Sequence, residues 1–166
     1  MLEKKMLKQL EQYVNDHLEL IVIEASYNTS DSIDSEILYD LHSSELEEYI
    51  DLNKKPTLQQ VLFAFIDQRN LLDTEVYKKA RIDRKHFSKI RSNQNYHPKK
   101  NTIIALALAL ELSKDDTEKL LSSAGFTLTE SNTSDLVIQF CLEKKIYDID
   151  SVNEALEYFS LKPLIG

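Results

Sequence analysis

From Asn101 to Leu112 the chain reads N-T-I-I-A-L-A-L-A-L-E-L, an almost wholly apolar stretch built from helix-favouring residues. A surface helix confines its apolar residues to one stripe, whereas a helix apolar on all sides has to be buried on most of them. The run falls well short of the roughly 18 apolar residues a membrane span requires. It therefore predicts a central helix that its neighbours must enclose.

Amphipathic segments flank it on both sides. Thr57-Leu58 opens a helix with Val61, Leu62, Phe65 and Ile66 on one face, ending near Asn70. Asp73 or Thr74 caps a short helix carrying Val76, Tyr77 and Ala80, and Asp83 caps another in which Phe87 and Ile90 point inward. Pro98 closes the next loop. Beyond the central helix, Asp115 or Asp116 starts a helix through Leu120-Leu121 that Gly125 stops. Two more are expected, Asp135–Lys145 after Ser134 and Val152–Phe159 after Ser151. Near the start, Leu2, Met6, Leu10, Tyr13, Val14 and Leu18 fall at helical steps. Leu20–Ile23 suits a helix extension or a short strand, and Asn28–Ser35 is turn-like. Ser44 and Glu47 have capping-box spacing, opening a short helix through Tyr49-Ile50. With two Gly and three Pro in 166 residues, the fold class is all-α.

Charge divides the chain more sharply than hydrophobicity does. Residues 1–52 carry −10, 53–75 are neutral, 76–100 carry +8 and 101–166 carry −6, in a protein of net charge −8. Nine of the 20 Lys and Arg lie between Val76 and Lys100, against a single acid, Asp83. A basic island on an acidic protein suits a polyanion, the bland alternative being a solvated face. Asn53-Lys54-Lys55-Pro56 reads as a linker and Thr129–Ser134 as a second polar break. The organisation expected is an acidic N-terminal segment (1–52), a central domain (56–126) and a C-terminal helical extension (133–166).

Several chemistries find no support. His17, His42, His86 and His97 are too far apart for a local metal motif, and one Cys builds no structural zinc site. Two Gly cannot form a phosphate-cradling loop. The acids Glu45, Glu47, Glu48 and Asp51 read as a solvated helix face, and Cys141, in an apolar run, as a small buried hydrophobe. No catalytic residue, metal or cofactor is expected, and no membrane span or export signal; the lone Cys fits a reducing cytoplasm.

Short helices, the second and third joined tightly through Arg81-Ile82-Asp83, resemble the Xre-type helix-turn-helix domain of lambda-type phage repressors. The similarity covers Thr57 to Gly125. Val76, Ile82, Phe87 and Ile90 stand at that family's buried positions, Pro98 at its proline before helix four, and L-L-S-S-A-G (Leu120 to Gly125) resembles its close. The resemblance implies a five-helix DNA-binding domain. The chain departs from the pattern in three places. Tyr77 stands where the family has Ala, and Arg81 where the turn has Gly. Ile66 and Arg91 replace an Arg–Glu pair, leaving Arg91 to face outward or to pair with an acid of another element, such as Asp67. Asp73 replaces a Gln that meets a phosphate.

With Phe87 and Ile90 inward, a rotation of 100° per residue puts Lys85, Ser88, Lys89 and Ser92 on the opposite face. Arg84 and Arg91 flank that face on one side, His86 and Asn93 on the other. The resemblance assigns base contacts to Arg84, Lys85 and Lys89, residue types that pair with guanine O6 and N7 in the major groove. Lys78, Lys79, Lys99 and Lys100 are then expected beside the phosphates.

Two functions remain open. One is sequence-specific binding of double-stranded DNA by a transcriptional regulator. The other is a protein-interaction module whose basic face docks an acidic regulatory partner or the chain's own N-terminal segment. The C-terminal extension is expected to pack on the first and fifth helices of the domain, a homodimer surface being the alternative.

Overall fold

A computed structural model describes residues 35–165, with side chains from Ser43 onward. The expected helix at Leu2–Leu18, the Leu20–Ile23 segment and the turn from Asn28 lie outside the described residues. All regular structure among the described residues is helical. The chain divides into two units, Met1–Lys54 and Lys55–Gly166.

In the first unit, α1 runs unbroken from Ser35 to Asn53. Ser44 therefore lies inside a helix rather than opening one. The segment holds no Lys or Arg, and Asn53 Nδ2 donates to the Tyr49 carbonyl at its end.

The second unit contains α2 (Leu58–Gln68), α3 (Asp73–Lys79), α4 (Arg84–Ser92), α5 (Lys100–Ala109), α6 (Lys114–Ser123), α7 (Thr133–Glu143) and α8 (Ile149–Tyr158). Helix α5 is the expected centre: every residue from Ile103 to Leu110 is buried. Helices α3 and α6 pack on it, α2 packs on α6, and α4 packs on α3. The C-terminal pair belongs to this same unit, with α7 on α6 and α8 on α7. Its core contribution is Val137, Ile138, Cys141, Leu142, Ile149, Val152, Leu156 and Leu164. Lys100 Nζ–Asp135 at 2.6 Å and Lys114 Nζ–Glu143 at 2.9 Å add ion pairs between α7 and the helices beside it. The extension thus packs on the domain, while Leu136, Phe140, Tyr158 and Phe159 stay exposed.

Five of the seven helix starts in this unit carry a side-chain cap, often one to three residues before the expected position. Thr57 and Gln60 form a reciprocal capping box on α2. Asp83, Ser113, Asn132 and Asp148 each accept a backbone N–H in the first turn of α4, α6, α7 and α8. At α3 the cap is Leu72, whose own N–H donates to the Glu75 carboxylate at 2.9 Å, so Asp73 is already helical. Asp115 and Asp116 likewise lie in the first turn of α6, not at its cap.

Helix stops follow one device used six times. After α2, α3, α5, α6, α7 and α8 the chain takes a single left-handed residue: Asn70, Arg81, Glu111, Gly125, Lys145 and Ser160, at φ between 51° and 78°. The residue after each is apolar and donates its N–H five residues back. These bonds are Leu71 to Ile66, Ile82 to Tyr77, Leu112 to Ala107, Phe126 to Leu121, Ile146 to Cys141 and Leu161 to Leu156. This is the Schellman arrangement, in which orphan carbonyls are satisfied and an apolar side chain folds back on the helix. Gly occupies only one of the six positions. Each of the others stores on the order of 1 kcal/mol of backbone strain, which the buried or half-buried apolar residue behind it offsets.

Candidate nucleic-acid interface

The break between α3 and α4 is one of these stops. Arg81 takes the left-handed conformation that glycine favours (φ 54°) and carries the strain. Ile82 then turns into the core, and Asp83 starts α4 by accepting the His86 N–H at 2.8 Å. Val76, Ile82, Phe87 and Ile90 are all buried, as the helical phase requires. Tyr77 is only half-buried, its ring tilted against Phe87 at 5.7 Å between centroids. A tyrosine therefore fits where the resemblance implies an alanine.

With α4 so seated, Arg84, Lys85, Ser88, Lys89, Arg91, Ser92 and Asn93 are exposed. His86 is half-buried at the edge of the face, its Nε2 at 3.0 Å from the Tyr96 hydroxyl. Lys89 Nζ lies 5.9 Å from the centre of the same tyrosine ring. Tyr96, in the loop after α4, thus supports two residues of the face, a role the helical phase of α4 gave no means of seeing.

Ion pairing sorts the nine cations of the island. Lys79 faces Glu111 at 3.8 Å, Arg81 is bonded to Asp150 of α8, Arg91 to Asp73 of α3, and Lys100 to Asp135 of α7. Lys78, Arg84, Lys85, Lys89 and Lys99 have no ion pair among the described residues. Lys100 is the clearest departure from expectation: its ammonium is partly enclosed against a buried carboxylate, so it serves the fold rather than the exposed face. Asp135 also accepts the Thr129 N–H at 2.9 Å, so this carboxylate joins α5, α7 and the loop between α6 and α7.

Asp73 and Arg91 are joined in one feature. Arg91 does not pair with Asp67. Its guanidinium is bonded to Asp73 and stacks over Phe63, 4.5 Å from the ring centre, while its carbonyl accepts the Gln59 amide. The charges of Asp73 and Arg91 neutralise each other.

Elsewhere the chemistry is quiet. Among the described residues no group of His, Cys, Asp or Glu is placed to hold a metal, and no helix is long and apolar enough to cross a membrane. Cys141 is buried, and burial pushes its thiol pKa up, which disfavours the thiolate that a nucleophile needs. A cleft of about 380 Å³ lies among Lys78, Arg81, Glu111, Tyr147 and Asp148. Acids line its wall alongside the cations, so its charge selects no class of ligand. No protein family, curated protein or solved structure matches the chain.

Proposed function

We propose that this protein is a double-stranded-DNA-binding regulator of transcription, with α2–α6 as a lambda repressor-like helix-turn-helix domain and α4 in the major groove. One observation carries the reading. After the ion pairs are counted, Arg84, Lys85 and Lys89 of α4 are left without an acidic partner among the described residues, exposed on a helix whose other side is buried by Phe87 and Ile90. A short helix fixed by its apolar side and bare of acids on the other can present guanidinium and ammonium donors to base edges. Lys78 and Lys99, also without an ion pair among the described residues, flank it as phosphate contacts.

The test is recovery of bound chromatin with the full chain, followed by sequencing and measured affinity for the recovered duplex. A shared short sequence, bound at least a hundredfold more tightly than random duplex, is the expected result. Uniform weak affinity for all duplexes would overturn it. Recovery of a strongly acidic protein that competes through Arg84 and Lys85 would replace it with the protein-docking reading.

A further inference from the structure

On the reading that α4 docks on DNA, we infer that Asp73 is an affinity-limiting residue: by neutralising Arg91 it lowers the affinity of the basic face for DNA of any sequence. Arg84 and Arg91 are seven residues apart, two turns along the same flank of α4. Arg84 has no ion pair among the described residues, whereas Arg91 is held at three points. Asp73 bonds its guanidinium, Phe63 underlies the guanidinium plane, and Gln59 binds its carbonyl. Yet the Arg91 side chain remains 54% exposed. It is not hidden from a phosphate by burial; it is cancelled by a carboxylate.

Cancellation of this kind has a thermodynamic signature. Each phosphate neutralised by a protein cation releases condensed counterions, steepening the fall of log affinity with log salt by about 0.9. An arginine already paired with a carboxylate adds little to that count, because a phosphate approaching it also meets the negative charge of Asp73. The lost affinity is sequence-independent, so specific and random binding fall by the same factor and their ratio is unchanged. An acid beside a DNA-docking helix thus acts as a restraint on overall affinity. The stacking of Arg91 on Phe63 keeps the side chain in place when Asp73 is neutralised, so the charge is released without unfolding the end of α4.

The experiment measures affinity of the full chain for random duplex between about 50 and 200 mM salt, for wild type, Asp73→Asn, Arg91→Gln and the double variant, each checked for folding by thermal melting. Asp73→Asn is expected to bind random duplex more tightly at the low-salt end. Its slope should steepen by about one, losing about threefold more affinity than wild type across the range. Arg91→Gln leaves the Asp73 carboxylate unopposed and should bind random duplex more weakly than wild type at the low-salt end, whereas the double variant, with neither charge, should return to the wild-type slope. An unchanged slope for Asp73→Asn, or a double variant that keeps the steepened slope, overturns the inference. If Asp73→Asn does not fold, Asp73→Ser, which also removes the charge, is read in its place. Absence of binding by all four proteins to random and to chromatin-recovered duplex overturns the DNA reading itself, an outcome distinct from either slope result.

Discussion

Helices α4 and α5 differ by one residue in length and are separated by one short loop, yet they were built under opposite constraints. Helix α5 buries every residue from Ile103 to Leu110 and bears no charge within that stretch. Helix α4 buries only Phe87 and Ile90 and carries four Lys and Arg within nine residues. A fully buried helix can change its residues only at the expense of packing, while a half-buried one can change an entire face without touching the core. Stability should therefore be concentrated in α5 and recognition in α4. The two kinds of substitution should separate cleanly.

The largest effect tests the α5 side. Leu106 is fully buried, and truncation of a buried Leu typically costs about 2–5 kcal/mol, from lost transfer energy plus the cavity left behind. Leu106→Ala should shift the chemical unfolding midpoint by that amount, and DNA affinity should fall only where the folded fraction falls. A loss of affinity in fully folded Leu106→Ala would show that the two helices are not independent.

The α4 side comes next. Arg84→Ala and Lys89→Ala should leave the unfolding midpoint nearly unmoved, since both side chains are exposed. Each should cost about 1–3 kcal/mol on the specific duplex and relax specificity at one base position. Equal losses on specific and random duplex would reduce α4 to a phosphate contact. The wild-type salt slope bears on the same point. With four of the nine cations paired to acids among the described residues, five remain to offset phosphate charge, so the slope should be no steeper than roughly −4.5. Affinity independent of salt would place binding elsewhere on the molecule.

The same contrast explains how much of the molecule could be read from the sequence. Burial of Val76, Ile82, Phe87 and Ile90 was legible because helical phase alone decides which side faces the core. Partners of the cations were not: Asp150 lies 69 residues from Arg81, and Asp135 lies 35 from Lys100. Local periodicity carries no information about pairs at such separation. The α1 start was missed because Ser44 and Glu47 satisfy a capping spacing that an uninterrupted helix can also contain. Most helix stops were hidden for a different reason. A search for Gly finds one of six left-handed positions, whereas the apolar residue that follows each of them is what the six have in common.

That shared stop supports a smaller prediction. Gly125 has open space around its missing Cβ, so Gly125→Ala meets only the conformational penalty and should cost about 1 kcal/mol. Lys145→Gly should gain a similar amount, because Lys145 is at φ 57° and has no ion pair among the described residues. Arg81→Gly relieves the same strain but also deletes the bond to Asp150. That pair is half-exposed on both sides and contributes at most about 1 kcal/mol. Its gain should therefore fall short of that of Lys145→Gly, and the shortfall measures what α8 contributes to the turn before α4. Equal gains would mean that the Arg81–Asp150 pair adds nothing.

The smallest effect concerns the cap of α8, two residues from that same pair. Asp148 accepts the Ser151 N–H at 3.0 Å and its hydroxyl at 2.9 Å. These bonds, the backbone one foremost and with a smaller contribution from the Arg81 charge, hold its pKa below the ordinary carboxylate value. A folded pKa below the unfolded one means the unfolded chain binds the proton more readily. The stabilisation is therefore full at pH values above the unfolded carboxylate pKa of about 3.9 and is lost as pH falls through the folded pKa. Asp148→Asn keeps a capping oxygen but removes the charge, so comparison with wild type isolates the ionised contribution. Wild type should melt slightly higher from neutral pH down to about pH 5, and the two curves should converge in more acidic buffer. A gap that persists unchanged into strong acid would show that side-chain geometry at the cap, and not the carboxylate charge, fixes the start of α8.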